Sequence, residues 1–194
     1  GYGGDDLWAI SFREGASTHD EMAEQLDEFV GRVREHAGAD TVALVGHSLG
    51  VTGIRYWMAT RGRYEWVETV VGLAGANHGT VFNIWCAEAG LRTNDYQVTP
   101  FLRADYEKHD NHPLASLNLN ETPGDVDYYT IRGTEDALYW GCPKSPELEG
   151  ATNVALETGH DGVRTARETK EYLFEWITGE HPYDLRHQVA IPRR

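Results

Sequence analysis

Lysine is nearly missing from this 194-residue chain, which carries Lys108, Lys144 and Lys170 among 17 basic residues, the rest arginine, against 31 acidic ones, for a formal charge of −14. A field of that sign repels nucleic acid and anionic membranes, so neither is an expected partner. An acidic, lysine-poor surface suits concentrated salt, where counterions screen self-repulsion. An ordinary acidic protein from a GC-rich genome has the same composition, and the sequence leaves both readings open. Cysteine is scarce as well. Cys86 and Cys142 are too few for a disulfide scaffold and lack metal-ligand spacing, which leaves either one bridge or two free thiols. No apolar run approaches the length of a membrane-spanning helix, so stable membrane insertion is not expected. The first residues, Gly1-Tyr2-Gly3-Gly4-Asp5-Asp6, do not read as a signal peptide.

What is present is a globular composition, 40% hydrophobic and 11% aromatic, long enough for one domain with a sizeable core. Its centre is Thr41-Val42-Ala43-Leu44-Val45-Gly46-His47-Ser48-Leu49-Gly50, an apolar run ending in Gly-x-Ser-x-Gly. A hydroxyl is a poor nucleophile unless it is held exposed beside a base, and a sharp strand-to-helix turn holds it so. Ser48 is that hydroxyl. Gly46 and Gly50 are expected to let the backbone fold tightly on either side, and the Leu49 amide to point at whatever sits over Ser48.

Along the chain, Leu7 to Phe12 reads as a β-rich strand. Thr18 with Glu21 three residues on forms a capping box for a helix carrying Met22, Leu26, Phe29, Val30 and Val33 at helical spacing and ending at Gly38. His19 and His36 are expected on its solvated side. Strands are expected over Trp66 to Ala74, Val126 to Ile131 and Asn153 to Leu156. One helix is expected from Val163 to Thr178, with Val163, Ala166, Leu173, Phe174 and Ile177 on one side. Alternating strands and helices predict a mostly parallel sheet covered on both faces.

Gly46-His47-Ser48-Leu49-Gly50, Leu73-Ala74-Gly75-Ala76-Asn77-His78-Gly79-Thr80, Ile131-Arg132-Gly133-Thr134-Glu135-Asp136 and Glu157-Thr158-Gly159-His160-Asp161-Gly162 resemble, in order, blocks of the α/β-hydrolase lipases. The similarity is to the small bacterial triacylglycerol lipases without a large lid, over about residues 6 to 178. It implies an α/β-hydrolase domain over residues 1–179, a partial cap or pocket wall over 80–125 that includes Phe82, Tyr96, Phe101, Leu102 and Tyr106, and a tail over 180–194. It also implies a lipase or carboxylesterase needing no cofactor and acting on an apolar ester. In that fold the nucleophile, acid and base follow as Ser, Asp or Glu, then His. Ser48, Asp136 and His160 fit, with Glu135 and Asp161 as rival acids and Leu49 as an oxyanion donor. His47 is expected beneath the nucleophile. His78, Trp85 and Trp140 are expected to shape the substrate pocket.

Asp105, His109, Asp110 and His112 have no diagnostic metal spacing and read as a solvated loop. A Cys86–Cys142 bridge would imply an oxidising, extracellular location, with the cytoplasm as the alternative. The resembling lipases carry a further strand, whose His-Gly loop gives a second oxyanion donor, before the Leu7 to Phe12 segment. The chain is therefore expected to be N-terminally incomplete, with an uncovered sheet edge open to self-association. A binding module retaining the motifs, a polyester depolymerase and an acyltransferase remain alternative readings.

Overall fold

Thr18 opens the first long helix, α1 (His19–Ala37), by accepting at Oγ1 from the Glu21 amide while its own amide donates to the Glu21 carboxylate at 2.7 Å. Gly38, at φ 63°, closes it. The structure, a computed structural model, describes residues 4–14, 17–90 and 100–180. Tyr96 and the expected tail beyond Glu180 lie outside the described residues.

After α1 come β1 (Val42–His47), α2 (Leu49–Arg61), β2 (Val67–Leu73), α3 (Val81–Glu88), α4 (Pro113–Leu117), β3 (Asp127–Gly133), β4 (Thr152–Leu156), α5 (Gly162–Thr165) and α6 (Arg167–Thr178). The four strands form one parallel sheet in chain order. Successive strand residues feed opposite faces, as the two-residue period requires. Val70 and Tyr128 join Leu26 and Val30 of α1 and Ile54, Trp57 and Met58 of α2. Val71, Leu73 and Ile131 meet Val163 of α5, with Leu173 and Trp176 of α6 packed against them. The sheet is therefore covered on both faces, as expected.

Three expectations fail. Leu7 to Phe12 forms no strand: a strand exists by pairing, and none of the described strands ladders with it. Ile10 and Phe12 still pack on the α1–α2 core, while Leu7 and Trp8 remain exposed. The outer edge of β1 is correspondingly unpaired among the described residues, and Val45 is 46% exposed.

The single helix expected from Val163 to Thr178 is two. Ala166 adopts an extended ψ of 144°, and Thr169 Oγ donates to the Val163 carbonyl at 2.6 Å, fastening the break. The break shifts the inward face. Tyr172 and Trp176 pack against the core, and Trp176 stacks on Tyr129 with ring centroids 4.4 Å apart.

His19 is not solvated. It is 4% exposed, its ring stacked 3.3 Å from that of Phe101, and it lies on the same helical face as Met22, Leu26 and Val30. Thr52 Oγ donates to the Leu49 carbonyl at 3.0 Å, so His19 Nε2 donates to Thr52 Oγ at 2.9 Å. Burial lowers the His19 pKa to about 3.

Because its folded pKa is depressed, His19 binds a proton in the unfolded chain before it does in the folded one. Stability is thus lost as pH falls from the unfolded value, near 6.5, towards 3, by up to about 1.4 kcal/mol per pH unit. Urea unfolding at pH 7 and pH 4 is expected to show a smaller acid loss, by about 2 kcal/mol or more, in His19→Phe, which keeps a buried ring but binds no proton. Equal losses would show that His19 does not set the acid sensitivity.

Candidate active site

Parallel strands deliver their C-terminal ends to one edge, and the register aligns them here: His47 with Leu73, Leu73 with Ile131, and Gly133 with Leu156. Ser48 follows β1 immediately. Its backbone sits at φ 53°, ψ −122°, a costly conformation for a residue with a Cβ, and its amide donates to the Leu73 carbonyl at 2.9 Å. The strained turn lifts Oγ out of the strand just where α2 begins.

Gly46 makes that turn feasible. A Cβ there would lie 2.9 Å from Ile54 Cδ1 and 3.0 Å from the Val51 amide nitrogen. Gly50 is different: a Cβ on it would meet nothing within 4 Å, so the expectation that both glycines relieve crowding holds for Gly46 alone. Leu49 is the first residue of α2, so its N–H has no acceptor within the helix and stands at the positive end of the helix dipole.

Asp136 and His160 arrive on loops after β3 and β4. These loops are tied together by Thr134 donating to the Leu156 carbonyl at 2.8 Å and Glu135 to the Thr158 carbonyl at 3.1 Å. Gly133 lies so close to the Thr158 carbonyl that no side chain fits there. The Asp136 side chain is 1% exposed, its Oδ1 accepting from the Leu138 amide at 3.0 Å and its Oδ2 from His160 Nδ1 at 2.7 Å. A proton held on Nδ1 leaves Nε2 to accept from Ser48 Oγ, 2.9 Å away. The three side chains thus form one hydrogen-bonded line. The rivals stand apart: Glu135 is exposed, and Asp161 is an exposed partner of Arg164.

His47 Nε2 donates to the His160 carbonyl at 3.1 Å, fixing the backbone of the histidine loop, and burial lowers its pKa. His78 is occupied elsewhere, Nδ1 with the Ser145 carbonyl at 3.1 Å and Nε2 with Glu121 at 2.8 Å. Trp85 and Trp140 do come together, ring centroids 6.5 Å apart and 59% and 71% exposed. Phe82, one helical turn before Trp85, is also exposed. Leu102 and Tyr106, from the same expected cap, are buried instead.

Sequence reasoning missed Tyr139. Its hydroxyl donates to the carbonyl of Ala74 at 2.5 Å, and Ala74, at φ 46°, donates its amide to Ile131. This clamps the Asp136 loop to the end of β2, and burial raises the Tyr139 pKa. No local motif announces such a contact. Cys86 and Cys142 are both free thiols. Asp105 pairs with Arg103 at 2.6 Å, and His112 caps α4, accepting at Nδ1 from the Leu114 amide. No group of three or more metal-ligating side chains converges among the described residues.

No family model matches the chain. Its structure resembles the mature form of the lipase BlEst2 from Bacillus licheniformis, with a TM-score of 0.51 and 20% identity over 74% of this chain and 66% of the lipase. The propeptide form of that lipase gives 0.56 at 18% identity over 81% and 40%. MGS-MChE2, an α/β-hydrolase enzyme from the sediment metagenome of the Mar Chica lagoon in Morocco, gives 0.54 at 17% over 87% and 74%. This is the α/β-hydrolase fold. The chain spans less than two thirds of the length of either BlEst2 form.

The turn predicts a contrast between its two glycines. Gly46→Ala should lower the unfolding free energy by about 1–3 kcal/mol through overpacking. Gly50→Ala should leave it unchanged or raise it by up to about 1 kcal/mol, since alanine favours helix and meets no neighbour. Denaturant titration of both variants checks this, and equal destabilisation would contradict it.

Proposed function

We propose that the chain is a serine ester hydrolase that cleaves carboxylic esters through an acyl-enzyme on Ser48. The observation that carries this reading is the continuous line from the buried Asp136 through His160 to Ser48, at 2.7 Å and 2.9 Å. In the first half-reaction Ser48 Oγ attacks the ester carbonyl while His160 Nε2 takes its proton. The resulting oxyanion accepts from the Leu49 amide. His160 then gives the proton to the departing alcohol, leaving the acyl group on Ser48. In the second half-reaction water attacks that acyl carbon, its proton passes through His160, and the carboxylic acid leaves with Ser48 restored. Asp136 keeps Nδ1 protonated and stabilises the imidazolium formed in each half-reaction. The exposed rings of Phe82, Trp85 and Trp140 support an apolar ester as substrate.

Hydrolysis of short p-nitrophenyl esters tests the assignment. Ser48→Ala should lose on the order of 10⁴-fold in turnover while remaining folded. Asp136→Asn should lose about 10²- to 10⁴-fold, because the wrong imidazole tautomer then faces Ser48, whereas Glu135→Gln should stay within about two-fold of the parent. Parent-like turnover in Ser48→Ala, or a larger loss in Glu135→Gln than in Asp136→Asn, would overturn the assignment.

A further inference from the structure

A cavity of about 520 Å³, within the size range of small-molecule sites, opens beside the later turns of α2. Its walls include Arg55, Met58, Tyr64, Leu117, Glu121 and Tyr128, and none of Ser48, Asp136 and His160 lines it. Arg55 stands seven residues beyond Ser48, about 10 Å along the helix axis.

Arg55 is the unusual wall. It is 5% exposed, and its guanidinium donates from Nη1 to Asn77 Oδ1 at 3.3 Å and from Nη2 to the Leu117 carbonyl at 3.2 Å and Asn118 Oδ1 at 2.9 Å. All three acceptors are uncharged, and they take three of the five N–H donors that a guanidinium offers. Three other partly buried arginines among the described residues have carboxylates, Arg63 with Asp27 at 2.7 Å, Arg103 with Asp105 at 2.6 Å and Arg132 with Glu147 at 2.8 Å, while Arg34 donates to the Asp40 carbonyl at 2.9 Å and lies over the Trp66 ring. Arg55 is more deeply buried than these, and no described carboxylate lies within ion-pair distance of it. Burial lowers its pKa only to about 10, so it is charged at neutral pH. A buried charge ordinarily has a counter-charge; Glu121 acts on Arg55 through space, but no described carboxylate touches the guanidinium, and that contact is open to a ligand.

The remaining walls narrow the ligand. Leu117, Tyr64 and Tyr128 give an apolar body room to pack, and Leu119, 88% exposed, is a further lining residue. Glu121 faces the same space, although its oxygens are engaged by His78 Nε2 at 2.8 Å and the Glu149 amide at 2.5 Å. Its negative charge opposes a second charge on the ligand and so favours a monoanion over phosphate.

We infer that this cavity binds a carboxylate-bearing amphiphile, Arg55 receiving the carboxylate and Leu117, Tyr64 and Tyr128 enclosing its apolar body. The inference does not depend on ester hydrolysis at Ser48.

Isothermal titration of the full chain with octanoate, octanol and inorganic phosphate tests it. Octanoate should bind more tightly than about 5 mM, and octanol and phosphate at least about ten-fold more weakly. Arg55→Met should lose about ten-fold or more in octanoate affinity. Because that variant also gives up three hydrogen bonds and could unfold, Ala59→Trp is the second probe: it fills the cavity from α2 and leaves Arg55 and its acceptors intact. Ala59→Trp should abolish octanoate binding, and Ser48→Ala should leave it unchanged. Equal binding of octanol and octanoate, parent-like affinity in Ala59→Trp, loss of binding in Ser48→Ala, or no binding of octanoate at all would each overturn the site.

Discussion

The hydrogen bond from His160 Nδ1 to Asp136 governs the carboxyl edge of the sheet, because it decides which face of the imidazole is left for Ser48. A carboxylate that is 1% exposed has little water to turn to, so its two oxygens commit to the Leu138 amide and to His160. Maintaining this contact requires two loops, on neighbouring strands, to approach at backbone distance. Gly133 permits that approach, Thr134 and Glu135 stitch it, and Tyr139 anchors the acid side to Ala74. His47 anchors the histidine side through the His160 carbonyl. The bond between two side chains thus rests on β1 to β4 ending in register.

The same architecture concentrates backbone strain at that edge. Ser48 and Ala74 both have positive φ without being glycine, and they end the adjacent strands β1 and β2. Each is held by an amide that donates to the neighbouring strand, Ser48 to Leu73 and Ala74 to Ile131. Such conformations cost about 1–3 kcal/mol each and persist only where the surroundings over-determine them. Here the parallel ladder does so, with the α1–α2 layer behind one face and α5 and α6 behind the other. His19 extends the support: buried in α1, it reaches Thr52, which in turn holds the first turn of α2 directly after Ser48.

How much of this was legible in the sequence follows from how local each cause is. The Gly-x-Ser-x-Gly turn and the Thr18–Glu21 box are written in adjacent residues, so the turn at Ser48 and the limits of α1 could be read directly, whereas Asp136 and His160 were expected only from the order of blocks that resemble the α/β-hydrolase lipases, with Glu135 and Asp161 as rivals. Leu7 to Phe12 misleads because a strand depends on a partner that local sequence cannot supply. The break at Ala166 depends on one hydroxyl, Thr169, reaching a carbonyl six residues back. His19 was visible in principle, since it shares the helical face of Met22, Leu26 and Val30, but its polar type outweighed its position. The Tyr139 clamp and the Arg55 acceptors join residues 62 or more positions apart by tertiary contacts, except for the nearer Asn77, and leave no pattern along the chain.

Ser48 is the proposed nucleophile and His160 the base that activates it, and covalent labelling reads this pairing without presupposing a substrate. A fluorophosphonate probe reacts with a serine whose proton can be taken by a neighbouring base, and peptide mapping by mass spectrometry locates the adduct. Labelling of the folded chain at Ser48, and its loss in His160→Ala, is the predicted result. An unlabelled parent chain, or undiminished labelling of Ser48 in His160→Ala, would contradict the account.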